Sequence, residues 1–133
     1  MNSLTTADLD FVARTVMAEA EGEPYEGKVA VAAVIYNRAR NPRWWGSTVI
    51  DVCLTSKQFS CWNDNNLRRR KIGIWDSESR VFRDCMRAAL EGFDRDPTGG
   101  ADSYYAHGVV FPDWADGLTA TAVIGKHTFV KTL

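Results

Sequence analysis

"MAEAEGEPYEGKVAVAAVIYNRAR", residues 17–40, decides the fold of this chain, because one helical pattern stops and a second begins within it. The first pattern places five apolar residues on one face of a helix: Leu9, Val12, Ala13, Val16 and Ala20. Gly22 and Pro24 end that helix, since glycine breaks helices and a proline disfavours helical geometry in the residue before it. From Lys28 onward the stretch is apolar nearly all round, which is typical of a central, buried helix. The segment therefore predicts two packed helices joined by a sharp break.

Capping signals give the bounds of the first two helices. Residues 5–8, "TTAD", form a capping box that starts the first helix. Pro24 suits the first turn of the second helix, and Glu26 is favourable near its positive end. Asn41 and Pro42 end that helix.

Further signals place two more helices and an extended tail. Ser47 or Thr48 caps a short third helix that ends near Leu54. A fourth helix follows a cap at residues 76–77 and is expected to stop at Gly92. Between them, residues 55–73 have no steady period and predict a long surface loop, a kind of segment that often carries function. The tail segments "DSYYAH" and "TATAVIGKHTFV" favour β-structure.

Length and composition bound the fold class. A chain of 133 residues with 45% hydrophobic content forms one compact domain by default, here residues 1–133. The sequence predicts an α+β, mostly helical domain with a small β element near the C-terminus.

Several classes of function are disfavoured. A net charge of −1 and a pI near 6.1 give no field that favours nucleic acid or an anionic membrane. No apolar run approaches the roughly 20 residues that span a bilayer, and "MNSLTTADLDF" does not have the pattern of a signal peptide. Three cysteines without metal-type spacing and two histidines indicate reduced core thiols, with no metal or other cofactor expected.

Among the four glutamates of the opening stretch, Glu19 is the strongest candidate for chemistry. It projects about 20° from Val12 at helical spacing, on the edge of the apolar face. A partly desolvated carboxyl at the negative end of a helix is expected to favour its protonated form, which suits a general acid. The alternative is a capping or solvated acid, the usual role of a single glutamate. Glu23 either caps the second helix or lines the site.

Other residues have weaker patterns. Gln58 can hydrogen-bond a ligand from the long loop, and Asn37 needs a polar partner within an apolar helix. Tyr104, Tyr105 and His107 either line a cleft or pack along a strand. His127 fits a structural histidine. Residues 68–71 form either a solvated basic face or a contact for an acidic polymer. No spacing supports Cys61 as a nucleophile.

Five segments resemble the SleB/CwlJ family of cell-wall hydrolases, in order and over nearly the whole chain: "MAEAEGEPYEGKVAVAAVIYNRARNPRW", "SKQFSCWN", "DPTGGADSYYAHG", "PDWA" and "IGKHTFV". The resemblance implies a peptidoglycan-cleaving domain of the lysozyme-like superfamily. The catalytic acid of the family's Glu-Ala-x-Gly-Glu-Pro motif falls on Glu19. The motif's middle position, often basic, is Glu21 here. The substrate-binding positions that the resemblance and the patterns together indicate are Glu23, Gln58, Phe59, Ser60, Tyr104, Tyr105 and His107.

The expected activity is cleavage between N-acetylmuramic acid and N-acetylglucosamine, as a lytic transglycosylase that leaves 1,6-anhydro ends. One alternative is a hydrolytic muramidase on the same bond, for which Glu23 and Asp64 are the candidate second acids. The other is a non-catalytic glycan-binding phage structural module. The lack of a recognisable export signal or peptidoglycan-binding module in the sequence indicates a phage or prophage endolysin. Such an enzyme is expected to be a monomer held in the host cytoplasm until release to the cell wall.

Overall fold

The computed structural model describes residues 3–55 and 80–132. The described helices are α1 (Thr6–Ala20), α2 (Tyr25–Arg40), α3 (Val49–Leu54) and α4 (Arg80–Asp94). The strands are β1 (Ser103–Ala106), β2 (Ala120–Ile124) and β3 (His127–Val130), with a short 3-10 helix at Asp113–Ala115. The predicted α+β, mostly helical architecture with a small β element near the C-terminus is confirmed.

The break between α1 and α2 lies where the sequence indicates it. The Thr5 side chain accepts a hydrogen bond from the Asp8 amide and the Asp8 side chain accepts one from the Thr5 amide, so the predicted capping box forms. Helix α1 ends at Ala20, and α2 resumes at Tyr25. Pro24 is the N-cap residue of α2, one position before the first helical turn in which the sequence pattern places it.

Helix α2 forms the centre of the core. Every residue from Val29 to Tyr36 has at most 1% of its surface exposed. The hydroxyl of Tyr36 donates a hydrogen bond of 2.6 Å to the Ala89 carbonyl of α4, which satisfies a buried polar group. Asn37 donates to the Asp96 carboxylate and the Ala101 carbonyl, each at 2.9 Å, so it ties down the turn after α4.

The fourth helix does not end at Gly92, so this prediction is wrong. Helix α4 continues through it to Asp94, and Gly92 is buried. A Cβ atom at this position would lie 2.9 Å from the Ala32 Cβ and 3.0 Å from the Val29 carbonyl oxygen. The glycine therefore allows α4 to approach α2 closely, and this packing role outweighs its tendency to end a helix.

The sheet packs against α2 through one of its two faces. Its strand order is β1-β3-β2, and both pairings are antiparallel. Phe129 of β3 packs with Ala30 and Val34 of α2, while Tyr104 of β1 lies beside it. The sheet thus brings the C-terminal segment against the α1–α2 break.

Two properties of the described residues concern a thiol nucleophile and a membrane span, both of which the sequence disfavours. Cys53 and Cys85 are free and buried, and burial raises the pKa of each thiol to about 12, so neither is a reactive thiolate near neutral pH. None of the described helices is both long enough and apolar enough to cross a membrane.

Candidate active site

Glu19 lies in the last turn of α1 and is half-buried, while its neighbours Ala18 and Ala20 are buried. This matches its expected position at the edge of the apolar face. The hydroxyl of Tyr104 donates a hydrogen bond of 3.1 Å to Glu19 Oε1. The α1 carboxyl is therefore oriented by a side chain from the sheet.

Tyr104 is itself held by the sheet face that packs on α2. Its ring lies 4.9 Å from the ring of His127 and 5.5 Å from that of Phe129, measured between centroids. Tyr104 pairs with Phe129 in the β1–β3 register, and Ala106 pairs with His127. Packing on two neighbouring rings restricts the tyrosine, which suits a group that must orient another side chain.

Glu23 clamps the β2–β3 hairpin to the α1–α2 break. Its Oε1 accepts a hydrogen bond of 2.8 Å from the Lys126 amide, and only 8% of its side chain is exposed. Gly125, at φ +58°, presents no side chain to this carboxylate; a Cβ there would lie 2.8 Å from Glu23 Oε1. The side chain does not cap α2, because the N-cap residue is Pro24 and no side chain caps that helix end.

His127 also lies against the Glu23 carboxylate. Its Nδ1 lies 3.1 Å from Glu23 Oε1, but the contact lacks hydrogen-bond geometry, so the Glu23 carboxylate acts on the imidazole through its negative charge. Burial lowers the pKa of His127, the nearby Glu23 charge opposes that shift, and His107 adds to it. The imidazole is therefore neutral near pH 7.

A cavity of about 240 Å³ lies at this junction. Its lining includes the α1–α2 break, the end of β1 and the hairpin turn, with six polar side chains: Glu19, Glu21, Glu23, His107, Lys126 and His127. Glu21 is exposed, as expected of a solvated acid. Of the predicted site residues, Glu19, Glu23 and His107 thus line one cavity. Tyr104 does not line it but donates a hydrogen bond to Glu19, which does.

Tyr105 lies on the other face of the sheet from Tyr104. Its ring packs against those of Phe111 and Trp114, with centroids 5.3 and 6.2 Å away. His107 Nε2 is 2.7 Å from the Thr128 hydroxyl, and Thr128 pairs with Tyr105 in the register. The two tyrosines therefore cannot act on the same side of β1, because successive side chains in a strand point to opposite faces.

The remaining predicted positions, Gln58, Phe59 and Ser60, lie outside the described residues, as do Cys61, Asp64 and residues 68–71. Within residues 3–55 and 80–132, no group of three or more His, Cys, Asp or Glu side chains is arranged to hold a metal ion.

The fold and this site define a cell-wall hydrolase domain. Residues 22–130 match the family model described as Cell Wall Hydrolase, and the chain belongs to that family. Glu19 lies just before the matched range, but the similarity to the relatives and solved structures described next covers nearly the whole chain.

The relatives are spore proteins. The chain is 35% identical to the spore cortex-lytic enzyme of Oceanobacillus iheyensis over 93% of its own length, and 33% identical to that of Bacillus subtilis strain 168, also over 93%. It spans about two fifths of the length of these relatives, 41% and 37% respectively.

Two solved structures share the fold. The catalytic domain of the Bacillus cereus SleB protein matches with a TM-score of 0.79 and 30% identity, over 98% of this chain and 94% of that one. The catalytic domain of the germination-specific lytic transglycosylase SleB from Bacillus anthracis matches with a TM-score of 0.77 and 30% identity, over 98% and 99%. The predicted lysozyme-like fold is confirmed.

Sequence reasoning missed the part that the hairpin plays. His127 was expected only as a structural histidine, and nothing indicated the Lys126 amide as a partner of Glu23. The motif "IGKHTFV" contained a signal, since a glycine flanked by β-branched residues predicts a tight turn. Which residue that turn would contact could not be found from local pattern.

Proposed function

We propose that this domain cleaves the glycosidic bond between N-acetylmuramic acid and N-acetylglucosamine in peptidoglycan, as a lytic transglycosylase with Glu19 as the acid. The observation that carries the proposal is a half-buried carboxyl at the end of α1, oriented by the Tyr104 hydroxyl and facing a cavity. Membership of the cell-wall hydrolase family and similarity to a protein described as a lytic transglycosylase support it.

The proposed reaction needs one carboxyl in two protonation states. Protonated Glu19 gives its proton to the glycosidic oxygen as the bond to the muramic acid anomeric carbon breaks. The 6-hydroxyl of the same muramic acid then bonds to that carbon. Glu19, now ionised, takes the proton of this hydroxyl, so the products are a 1,6-anhydro end and a free hydroxyl on the leaving sugar.

The surroundings of Glu23 favour this route over hydrolysis. A hydrolase uses a second carboxylate as nucleophile or as base for water. Glu23 is one of the two predicted candidates for that role, but its Oε1 accepts a hydrogen bond from the Lys126 amide and its side chain is nearly buried. The other, Asp64, lies outside the described residues. A hydrolytic muramidase that uses either acid is the second candidate function.

Clearing of a suspension of purified sacculi tests the catalytic role of Glu19. Glu19→Gln removes the proton donor while keeping the shape of the side chain, and a lost general acid typically costs about 10²–10⁴-fold in rate. Glu26→Gln is the matched control, because Glu26 is an exposed glutamate at the start of α2 that lines neither described cavity. We expect Glu19→Gln to be inactive and Glu26→Gln to stay within about threefold of wild type, since changes at exposed positions away from the site have small effects. Equal clearing by Glu19→Gln and wild type would refute the catalytic role and favour a non-catalytic glycan-binding module.

A role as a phage or prophage endolysin, acting as a monomer from the host cytoplasm, is a further part of the proposal. It rests on the sequence pattern alone. Expression inside a bacterium with and without a co-expressed holin tests it: lysis only with the holin supports the role, and lysis without it contradicts it.

A further inference from the structure

In a tight turn after α2, Trp44 is exposed and the next residue, Trp45, is buried. The Gly46 amide donates to the Arg43 carbonyl at 3.1 Å, which closes the turn. Trp45 is 1% exposed, and its indole donates to the Arg38 carbonyl at 2.9 Å. Trp44 is 61% exposed. The anchored Trp45 holds the turn, so Trp44 is presented to solvent from a rigid support.

Trp44 borders the larger of the two cavities described, of about 680 Å³. Trp114, half exposed, lies on its lining together with Tyr104 and Leu118. This volume falls within the usual range of ligand pockets, about 300–1,000 Å³. Tryptophan faces offer flat apolar surface to the carbon-bound hydrogens of a sugar ring, and two of them on one cavity suit a saccharide better than a compact ion.

Two arginines line this cavity, and Arg43 is the exposed one; Arg38 is buried and donates to the Asp102 carbonyl. The Nη1 of Arg43 donates to the Thr132 hydroxyl at 2.9 Å, and its guanidinium carbon lies 4.9 Å from the centroid of the Trp45 ring. Within the described part of the chain, no carboxylate forms an ion pair with it. The nearby Asp102 carboxylate is occupied, because it accepts hydrogen bonds from the Thr132 amide and hydroxyl and from Ser103.

Tyr104 links this cavity to the proposed acid. Its side chain lies on the cavity lining, and its hydroxyl donates to Glu19. A glycan strand with its scissile bond at Glu19 would therefore extend past Tyr104 into the cavity. Each muramic acid of such a strand carries a peptide stem that ends in carboxylates.

We propose that the cavity bordered by Trp44, Trp114 and Arg43 is a substrate subsite that binds a sugar of the strand on the tryptophans and a stem carboxylate on Arg43. The inference rests on the proposed function and adds to it a preference for strands with free stem carboxylates. Arginine suits this role because its planar fork matches a carboxylate.

Binding measured in the Glu19→Gln background tests the subsite without cleavage of the ligand. The probes are soluble glycan strands with stems, either native or with all carboxyls chemically amidated. We expect the parent protein to prefer native strands about tenfold, Arg43→Gln to lose that preference, and Arg43→Lys to keep only part of it, because an ammonium keeps the charge but not the planar fork. Trp44→Ala and Trp114→Ala are each expected to weaken binding of both strands about tenfold.

Arg87→Gln and Leu90→Ala are the matched controls, since both residues are exposed on α4 and neither lines a described cavity. They are expected to bind like the parent. The subsite is refuted if Arg43→Gln keeps the preference for native strands, if both tryptophan variants bind like Leu90→Ala, or if the parent binds neither strand. Cleavage of sacculi by the same substitutions on wild-type Glu19 is scored separately, so failure of the proposed reaction remains distinguishable from failure of the subsite.

Discussion

Glu19 and Tyr104 meet although 85 residues separate them in the chain. The helical face of α1 brings the carboxyl to the edge of the core, and the strand alternation of β1 turns the tyrosine toward it. The hydrogen bond between them orients the carboxyl at one oxygen. At the scale of single residues, Tyr104 is thus a positioning residue for the proposed acid.

Tyr104→Phe removes this hydrogen bond while keeping the ring that packs on His127 and Phe129. We expect the rate of strand cleavage to fall about tenfold, which corresponds to about 1.4 kcal/mol, with little change in KM. The free energy of unfolding should fall by only about 0.5–1.5 kcal/mol. Tyr25→Phe is the control, because Tyr25 also donates to a glutamate, Glu91, at 3.2 Å, away from the site. Steady-state kinetics on soluble strands measure the cleavage rate and KM of both variants. Equal rates for Tyr104→Phe and Tyr25→Phe would contradict the positioning role.

His127 gives the site a titration that can be measured directly. Burial holds its pKa below the ordinary value of 6.5, and Glu23 partly opposes this shift. Because the unfolded state then takes up the proton more readily, this group costs stability as the pH falls below about 6.5 and costs none above it. NMR titration should give a midpoint below 6.5, and Glu23→Gln should lower it further by removing a negative charge. A midpoint that rises in Glu23→Gln contradicts this arrangement.

Among the secondary-structure elements, two contacts set the shape of the site. The Glu23 clamp fixes the β2–β3 hairpin against the α1–α2 break, and the close approach of α4 to α2 at Gly92 fixes the helical layer behind it. Both contacts depend on a glycine. Gly125 makes room for the Glu23 carboxylate, and Gly92 makes room for Ala32 and the Val29 carbonyl.

Gly92→Ala tests the contact between the two helices. Alanine is the better helix former by about 1 kcal/mol, but its Cβ would meet Ala32 and Val29 at 2.9 and 3.0 Å. Overpacking of this kind typically costs about 1–3 kcal/mol and should outweigh the gain. Urea unfolding should therefore show a net loss for Gly92→Ala, and a value within about 0.5 kcal/mol of wild type for the control Gly22→Ala, whose Cβ would meet nothing within 4 Å. A more stable Gly92→Ala would contradict the packing role.

Across the whole molecule, what could be predicted from sequence was mostly local. The bounds of α1, α2 and α3 follow from caps and breaks within a few residues, and those predictions are confirmed. The prediction that Gly92 ends the fourth helix was wrong, because the contact that requires a glycine there is made with another helix, α2. The contact of Glu23 could not be predicted because its partner, Lys126, lies 103 residues further on.

The candidate site shows the same division. Helical spacing predicted the position of Glu19 at the edge of the apolar face, and strand alternation alone would place Tyr104 and Tyr105 on opposite faces. Which face meets α1 depends on how the sheet packs on α2, and no local pattern indicates that. Arg43 and Trp44 belong to no periodic segment, so only the turn anchored by Trp45 revealed that they border a cavity.

Mass spectrometry of the muropeptides released from purified sacculi tests the central proposal most directly. The proposed mechanism predicts that wild type releases products with 1,6-anhydro-muramic ends and that Glu19→Gln releases none. Reducing muramic ends would mean hydrolysis and would contradict the transglycosylase assignment. Cleaved peptide stems on intact glycans would contradict action on the glycosidic bond altogether.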